Sequence, residues 1–548
     1  MSFDYSYIDI GFYNGTVITV NKNDDIKEAV GIKENKIVFV GKNEELKKLA
    51  DDKTVLIDLK GRALLPGLID SHYHPILSGF FGDEPDSSII NIKDDTCKNI
   101  EDIKDKIVQA VKIKRPGQWI SMMGYDPQNL EEDRHPTVED LDSVSPDNPV
   151  QCMHIGGHVC VYNTLALQEL GVYKPEDAKK FPKNEVEVKN GKLTGMVRDH
   201  THFALWAKVD YSPEEQGVAA MKSHQHLLGN GVTSIHDCGE CGPLSYHIMQ
   251  KLCLSRKFKV RSYMLIHNIY GKPFSLEENA NFLKLGYQTG LGNEYFRIGS
   301  NKFMIDGGSS APSSAMKEPY SHAPDLPGIL GWKEEEVADY IKLIHDADCQ
   351  ATAHAIGDLA VEYMVRGYEK ALAENPRENH RHRIEHCTFV DEDLLKRMAK
   401  LDICPSVNPG MIQVGGKDYE KFYGDRMKYC IALRSMIDLG MKPSISSDTP
   451  SGPVGLATID AAVNRYDRVK EYQTDETQKI SVLEAIRCAT YNGAYLSFEE
   501  DIKGSIEIGK LADLIVLSED ILKYPEERIN EISVDMTMID GVVEYTRE

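Results

Sequence analysis

Apolar positions along this chain fall into short continuous runs, and most of the gaps between them show a polar–apolar alternation of helical period. Such runs, bounded by turn residues, read as buried strands of a parallel sheet, and the stretches between them as amphipathic helices. The first run spans residues 64–69, is broken at Pro66-Gly67, and leads into His72-Tyr73-His74. Later runs cover 232–235, 259–266, 297–305, 350–355, 383–389, 403–407 and 443–446, with helices predicted over 334–347, 359–373 and 394–401. Eight strands separated by helices is the count of a (β/α)8 TIM barrel.

The two ends of the chain have a different texture. Residues 8–13 and 16–20 flank Asn14-Gly15, 29–33 and 36–41 flank Glu34-Asn35, and 536–539 and 542–545 flank Asp540-Gly541. Asn-Gly and Asp-Gly between apolar runs are hairpin signals. Residues 514–517 form another short apolar run. Isolated hairpins are not stable, so the economical arrangement is one small β-sandwich domain built from both termini, 1–62 and 501–548, with the α/β barrel, 63–500, inserted between them. One gap is too long for a β/α unit. Residues from about 79 to 225 therefore read as an insertion after the first barrel strand, lying over the barrel mouth. It contains helical pieces at 100–112 and 137–141 and turns such as Lys183-Asn184 and Asn190-Gly191.

Composition narrows the class. The 548 residues can bury a substantial core, and no segment approaches the roughly 18 apolar residues of a membrane span. A formal net charge of −23 disfavours nucleic acid and anionic membrane surfaces as partners. The first residues show no basic patch followed by an apolar stretch, and the eleven cysteines are scattered, as expected of reduced thiols. These features lead us to expect a cytoplasmic protein with a small-molecule substrate.

In a barrel of this kind chemistry sits where the strands end. Strand one ends in His72 and His74. Strand four carries Lys302 inside its apolar run, strand five ends near His354, strand six at His386 and strand eight near Asp448. Taken singly, each has a plain structural use: a lone histidine is more often packed in a core, and an aspartate after a strand is commonly a helix cap. Taken together, at successive strand ends, the histidines and the aspartate compose a nitrogen/oxygen donor set suited to Zn2+, and also to Mn2+ or Fe2+. Cys238-Gly-Glu-Cys241 has CxxC spacing, but no partner pair lies nearby and two reduced loop thiols account for it.

These motifs resemble those of the amidohydrolase superfamily, and within it the YtcJ-like branch that includes N-substituted formamide deformylases. The resemblance runs nearly the whole chain, through Pro66–His74, Gly231-Val-Thr-Ser-Ile-His-Asp237, Lys302-Phe-Met-Ile-Asp-Gly307, His354-Ala-Ile-Gly-Asp358, Arg381-His-Arg-Ile-Glu-His386, Ser447-Asp-Thr-Pro450 and Gly504–Asp513. It implies that His72, His74 and Asp448 bind one metal and His354 and His386 a second. Lys302 falls where many members carry a CO2-derived carbamate bridging the two; a single ion with Lys302 unmodified is the alternative. It further implies cleavage of a non-peptide C–N bond, of amide or N-formyl type, by hydroxide generated at the metal, with Asp448 as general base and then acid. His158 or His236 would polarise the carbonyl. Relatives usually have Asp-Gly-His where this chain has Gly156-Gly157-His158, which removes a carboxylate. Tyr125, Asp126 and Asp199 match motif positions that line the pocket, Asp199 standing where Glu is common. The same metal site could instead serve deamination, isomerisation or decarboxylation, or the barrel could be a metal-free scaffold. A homodimer would be unsurprising by the same analogy.

Overall fold

The structure, a computed structural model, describes residues 7–548 except 184, 207–208, 210, 240–242, 268–279, 282, 311 and 324–327. The eight apolar runs form one parallel sheet in barrel order: β1 (Leu68–Tyr73), β2 (Val232–Asp237), β3 (Arg261–His267), β4 (Phe296–Met304), β5 (Ala351–Ala355), β6 (Arg383–His386), β7 (Cys404–Val407) and β8 (Ser444–Ile445). Just beyond β8 the ring is joined to β1 by a backbone hydrogen bond, Asp448 N–H to the His72 carbonyl at 2.9 Å. That bond sets two of the sequence-derived ligand candidates side by side. The predicted helices lie close to the expected places, at Glu334–Asp346, Asp358–Glu374 and Glu392–Lys400.

The terminal segments build two further sheets that share a core containing Phe12, Val17, Val30, Leu64, Leu514 and Met538. Strand Ala63–Pro66 pairs antiparallel with Leu514–Leu517, so both chain ends contribute to one sheet. The opening apolar run is thus two strands: Ala63–Pro66 in this sheet and β1 in the barrel, with the change at Gly67. Asn14-Gly15 does not close a hairpin. Ile10–Tyr13 pairs with Ala29–Lys33 and Val55–Asp58, whereas Thr16–Ile18 pairs with Ile26–Lys27 and Ala63–Pro66. The turn hands the chain from one sheet to the other. Asp540-Gly541 behaves as expected, joining Val534–Ile539 to Val542–Thr546 with φ of 54° and 73°, the pattern of a primed hairpin turn.

The insertion has its own seven-stranded sheet, running from Phe81 to Arg198, and a core of its own around Ile90, Ile103, Ile107 and Met122. The Lys183-Asn184 turn falls partly, and Cys241 wholly, outside the described residues. The ten described cysteines, Cys238 among them, are free and buried. Among the described residues no helix is long and apolar enough to cross a membrane.

At the N-terminal end of the barrel three histidines form a chain with fixed protons. Ala351 N–H donates to His382 Nδ1 (3.0 Å), so His382 carries its proton on Nε2 and donates to His345 Nδ1 (2.9 Å). His345 Nε2–H in turn donates to the Asn375 carbonyl (2.7 Å). His380 accepts the His382 backbone N–H on Nδ1 and donates from Nε2 to Leu401. Burial lowers His380 to about 4 and holds His382 well below the ordinary imidazole value. Down to pH 5.5 both stay neutral in the fold while the unfolded chain takes up protons near 6.5, so stability falls as pH drops. Each histidine should cost about 1.4 kcal/mol at pH 5.5 relative to pH 7.5. Urea unfolding at the two pH values checks this, and an unchanged midpoint would refute the neutral-chain assignment.

Candidate metal centre and cavity

The five histidine and aspartate candidates and Lys302 meet at the C-terminal rim of the barrel, around one cavity of about 110 Å³. That volume suits several waters or one small organic molecule. His72 Nε2 lies 3.5 Å from Asp448 Oδ1, and His74 Nε2 lies 3.1 Å from the same oxygen. One donor atom from each of these three residues lies within 4.8 Å of the others. Lys302 Nζ is 3.2 Å from His72 Nε2. The His386 ring is 4.6 Å from that of His72 and 4.4 Å from that of His354, centroid to centroid.

Each ligand-type histidine has one nitrogen occupied by the protein. His72 Nδ1–H donates to Glu385 Oε2 (2.8 Å), and His386 Nδ1–H donates to Asn408 Oδ1 (2.7 Å). His354 Nε2–H donates to the Gly307 carbonyl (3.2 Å). This leaves acceptor lone pairs on His386 Nε2, His354 Nδ1 and His72 Nε2, the last of which accepts from Lys302 Nζ (3.2 Å); neutral imidazole with its lone pair turned this way is the state that binds a cation, with the partner fixing the tautomer. Burial holds His72 and His354 well below the ordinary imidazole value; for His72 the neighbouring Lys302 and His386 add to it, and for His354 His386 and His158 do. Burial alone would raise Asp448, but the His74 hydrogen bond and the nearby His72 and His386 outweigh it and keep the carboxyl ionised. Neutral imidazoles beside an anionic carboxylate fit a divalent metal.

His72, Cys238 and Glu385 also cluster within 4.8 Å. There, however, Glu385 accepts bonds from Arg383 Nη2 (3.0 Å) and Thr352 Oγ1 (2.7 Å) as well as from His72. Glu385 is committed to a buried ion pair, so this group orients His72 and is not a second cation site.

The insertion brings His158 to the cavity. Its Nδ1–H donates to Asp199 Oδ1 at 2.8 Å, both residues are buried, and its ring lies 5.0 Å from that of His354. At Gly156, where relatives carry the carboxylate, Ser310 comes close. A Cβ at position 156 would stand 2.4 Å from Ser310 Oγ, and Gly157 has φ of +72°. The glycines let the loop after β4 press against the insertion. Asp199 thus supports His158 from behind rather than lining the cavity. Helix Asp199–Trp206, which Asp199 opens, sends Phe203 and Trp206 into the wall.

Three sequence candidates lie elsewhere. His236 accepts a 2.8 Å bond from Arg383 Nη1 and packs on Tyr263, at the level where β6 begins; His386 stands where β6 ends. Tyr125 hydroxyl pairs with His135 Nδ1 (2.9 Å). Asp126 lies 3.8 Å from His154 inside the insertion. Conversely, Glu385, Asn408 and the cavity-lining His267 carry no spacing signature, and only the fold puts them here.

A barrel with nitrogen and oxygen donors gathered at the C-terminal rim of its strands defines the class, a barrel enzyme with its active site at that rim. The family model described as "Amidohydrolase family" matches residues 55–545, and the chain belongs to that family. It is 27% identical to the "Putative amidohydrolase YtcJ" of Bacillus subtilis, over 98% of this chain and 99% of that one. It is 24% identical to the "N-substituted formamide deformylase" of Arthrobacter pascens, over 98% of both chains. An uncharacterized metal-dependent hydrolase from Pyrococcus horikoshii shares the fold, with a TM-score of 0.73 at 23% identity over 94% of this chain and 99% of that one. The chain is thus a hydrolase of amidohydrolase type, a membership that supports carbon–nitrogen bonds as its target.

Proposed function

We propose that this chain hydrolyses small uncharged amides, of N-formyl or N-acyl type, using one or two divalent ions, Zn2+ first among them. The observation that carries the reading is the convergence of His72, His74, His354, His386, Lys302 and Asp448 on one cavity. His72, His74 and Asp448 would hold one ion and His354 and His386 another, with Lys302, plain or carbamylated, between them. A bound divalent metal supplies Lewis acidity and brings the pKa of water toward 7.

The protein's own groups do the rest. Asp448, anionic at the rim, takes the proton of the attacking water and returns it to the leaving nitrogen. His158, whose Nδ1–H is held by Asp199, would donate a second N–H, from Nε2, to the substrate carbonyl oxygen; the adjacent Asp199 carboxylate supports the doubly protonated ring that this requires. Glu385 and Asn408 fix the rings of His72 and His386 so that no reorganisation is needed during the reaction. Met123, Met153, Met304, Met411, Phe203 and Trp206 form an apolar wall. Among the described lining residues Lys302, at the ligand cluster, is the only lysine or arginine. Such a wall favours an uncharged substituent, because a carboxylate buried there would lack a partner.

The test is formate or carboxylate release from a panel of N-substituted formamides and acetamides by zinc-loaded protein. Turnover that disappears on chelation and returns with metal supports the reading. A panel with no turnover at any metal loading rejects it.

A further inference from the structure

A second cavity, of about 560 Å³, flanks the loop that follows β8, and Pro450 lines both it and the metal-site cavity. Its volume suits a small organic molecule. The charged side chains on its wall are Lys93, Lys222 and, when protonated, His226; no aspartate or glutamate stands among the described lining residues. That runs against a chain whose net charge is −23. Lys93 is half-buried and Lys222 exposed. Lys93 Nζ donates to the Pro450 carbonyl at 2.8 Å and lies 4.9 Å from the centre of the Phe81 ring. An ammonium has three N–H groups, so two remain. Lys222 and His226 stand one turn apart on helix Pro213–Gly229 and share its face. Among the described residues none of the three forms an ion pair.

A cleft lined by one sign of charge focuses its field and concentrates counter-ions. Burial lowers Lys93, and the nearby Asp95 and Asp94 offset this only in part, so the ammonium is short of negative charge. An anion in the cavity relieves the repulsion between the two lysines and accepts their spare N–H groups. A phosphate group fits best: it carries close to two charges and three acceptor oxygens, against two ammonium groups and one imidazole N–H.

We propose that this cavity is a binding site for the phosphate group of a small molecule, held by Lys93, Lys222 and His226 and separate from the metal centre. It stands independently of the amide-hydrolase reading. The Lys93 bond ends on the carbonyl two residues past Asp448, so the site adjoins the catalytic loop without sharing its ligands.

The test is calorimetric titration of inorganic phosphate into metal-loaded wild type, Lys93→Met, Lys222→Met and His72→Ala, at constant ionic strength set with chloride. Wild type should bind saturably, with Kd below about 5 mM. Lys93→Met should weaken binding about 10- to 100-fold, and Lys222→Met, at an exposed position, about threefold or more. His72→Ala, which disturbs the ligand cluster, should leave the affinity within about twofold. Absence of saturable binding overturns the proposal. So does affinity that falls with His72→Ala but not with the lysine variants, which places the anion on the metal. If Lys93→Met does not fold, Lys222→Met decides: a change below about twofold overturns the site.

Discussion

Asp448→Asn should lower kcat/KM by about 10²- to 10⁴-fold, the usual contribution of a positioned general acid–base. The fold should survive. The bond that joins β8 to β1 is made by the Asp448 backbone N–H, and asparagine keeps an oxygen at the position that faces His72 and His74. What is lost is the anion and with it the capacity to take up and return a proton. The measurement is kcat/KM on an active amide, with metal content and circular dichroism read on the same samples. A variant within about tenfold of wild type, at equal metal content, would remove Asp448 from the proton-transfer role.

Arg261→Ala should cost about 3–5 kcal/mol of stability, since it strips the partner from a buried charge pair. Arg261 opens β3 and is 1% exposed. Its guanidinium grips Asp513 through Nε (2.7 Å) and Nη2 (3.0 Å) and reaches Asp540 at 2.5 Å. Asp513 precedes the strand Leu514–Leu517, and Asp540 lies in the hairpin turn before Val542–Thr546, so one side chain ties the barrel to the sheets built from the termini. Burial would raise Asp513, but Arg261 outweighs it; without the arginine a buried carboxylate is left with weaker compensation. Replacing the pair together, Arg261→Met with Asp513→Leu, should cost less than Arg261→Ala alone, because no charge is stranded. Urea unfolding of the three proteins measures this. A loss under about 1 kcal/mol for Arg261→Ala would mean that the ion pair does not hold the two parts together.

The sequence revealed the barrel because its strands are buried on both faces and read as continuous apolar runs, each stopped by a polar residue. For the same reason the rim candidates were legible: His72, His354, His386 and Asp448 fall at or near the C-terminal ends of those strands. Features set by long-range pairing were not. Asn14-Gly15 has the local chemistry of a hairpin, but Ile10–Tyr13 and Thr16–Ile18 find their partners in different sheets. His236 and His267 look alike in sequence, each near the end of a strand. Which one reaches the cavity depends on how far along the strand it stands, and Arg383 claims His236 one level down. Glu385 sits one residue before His386, and its hold on His72 appears only when β6 is folded against β1. The methionine wall comes from several separate segments, and no local pattern announces it.

The central claim is that these residues surround a divalent ion. It is tested most directly by measuring the metal content of protein purified without added metal, alongside His72→Ala. The account predicts one or two transition-metal ions per wild-type chain, a clear loss in the variant, and a protein that stays folded. Wild type that is metal-free and takes up no zinc on titration would contradict it.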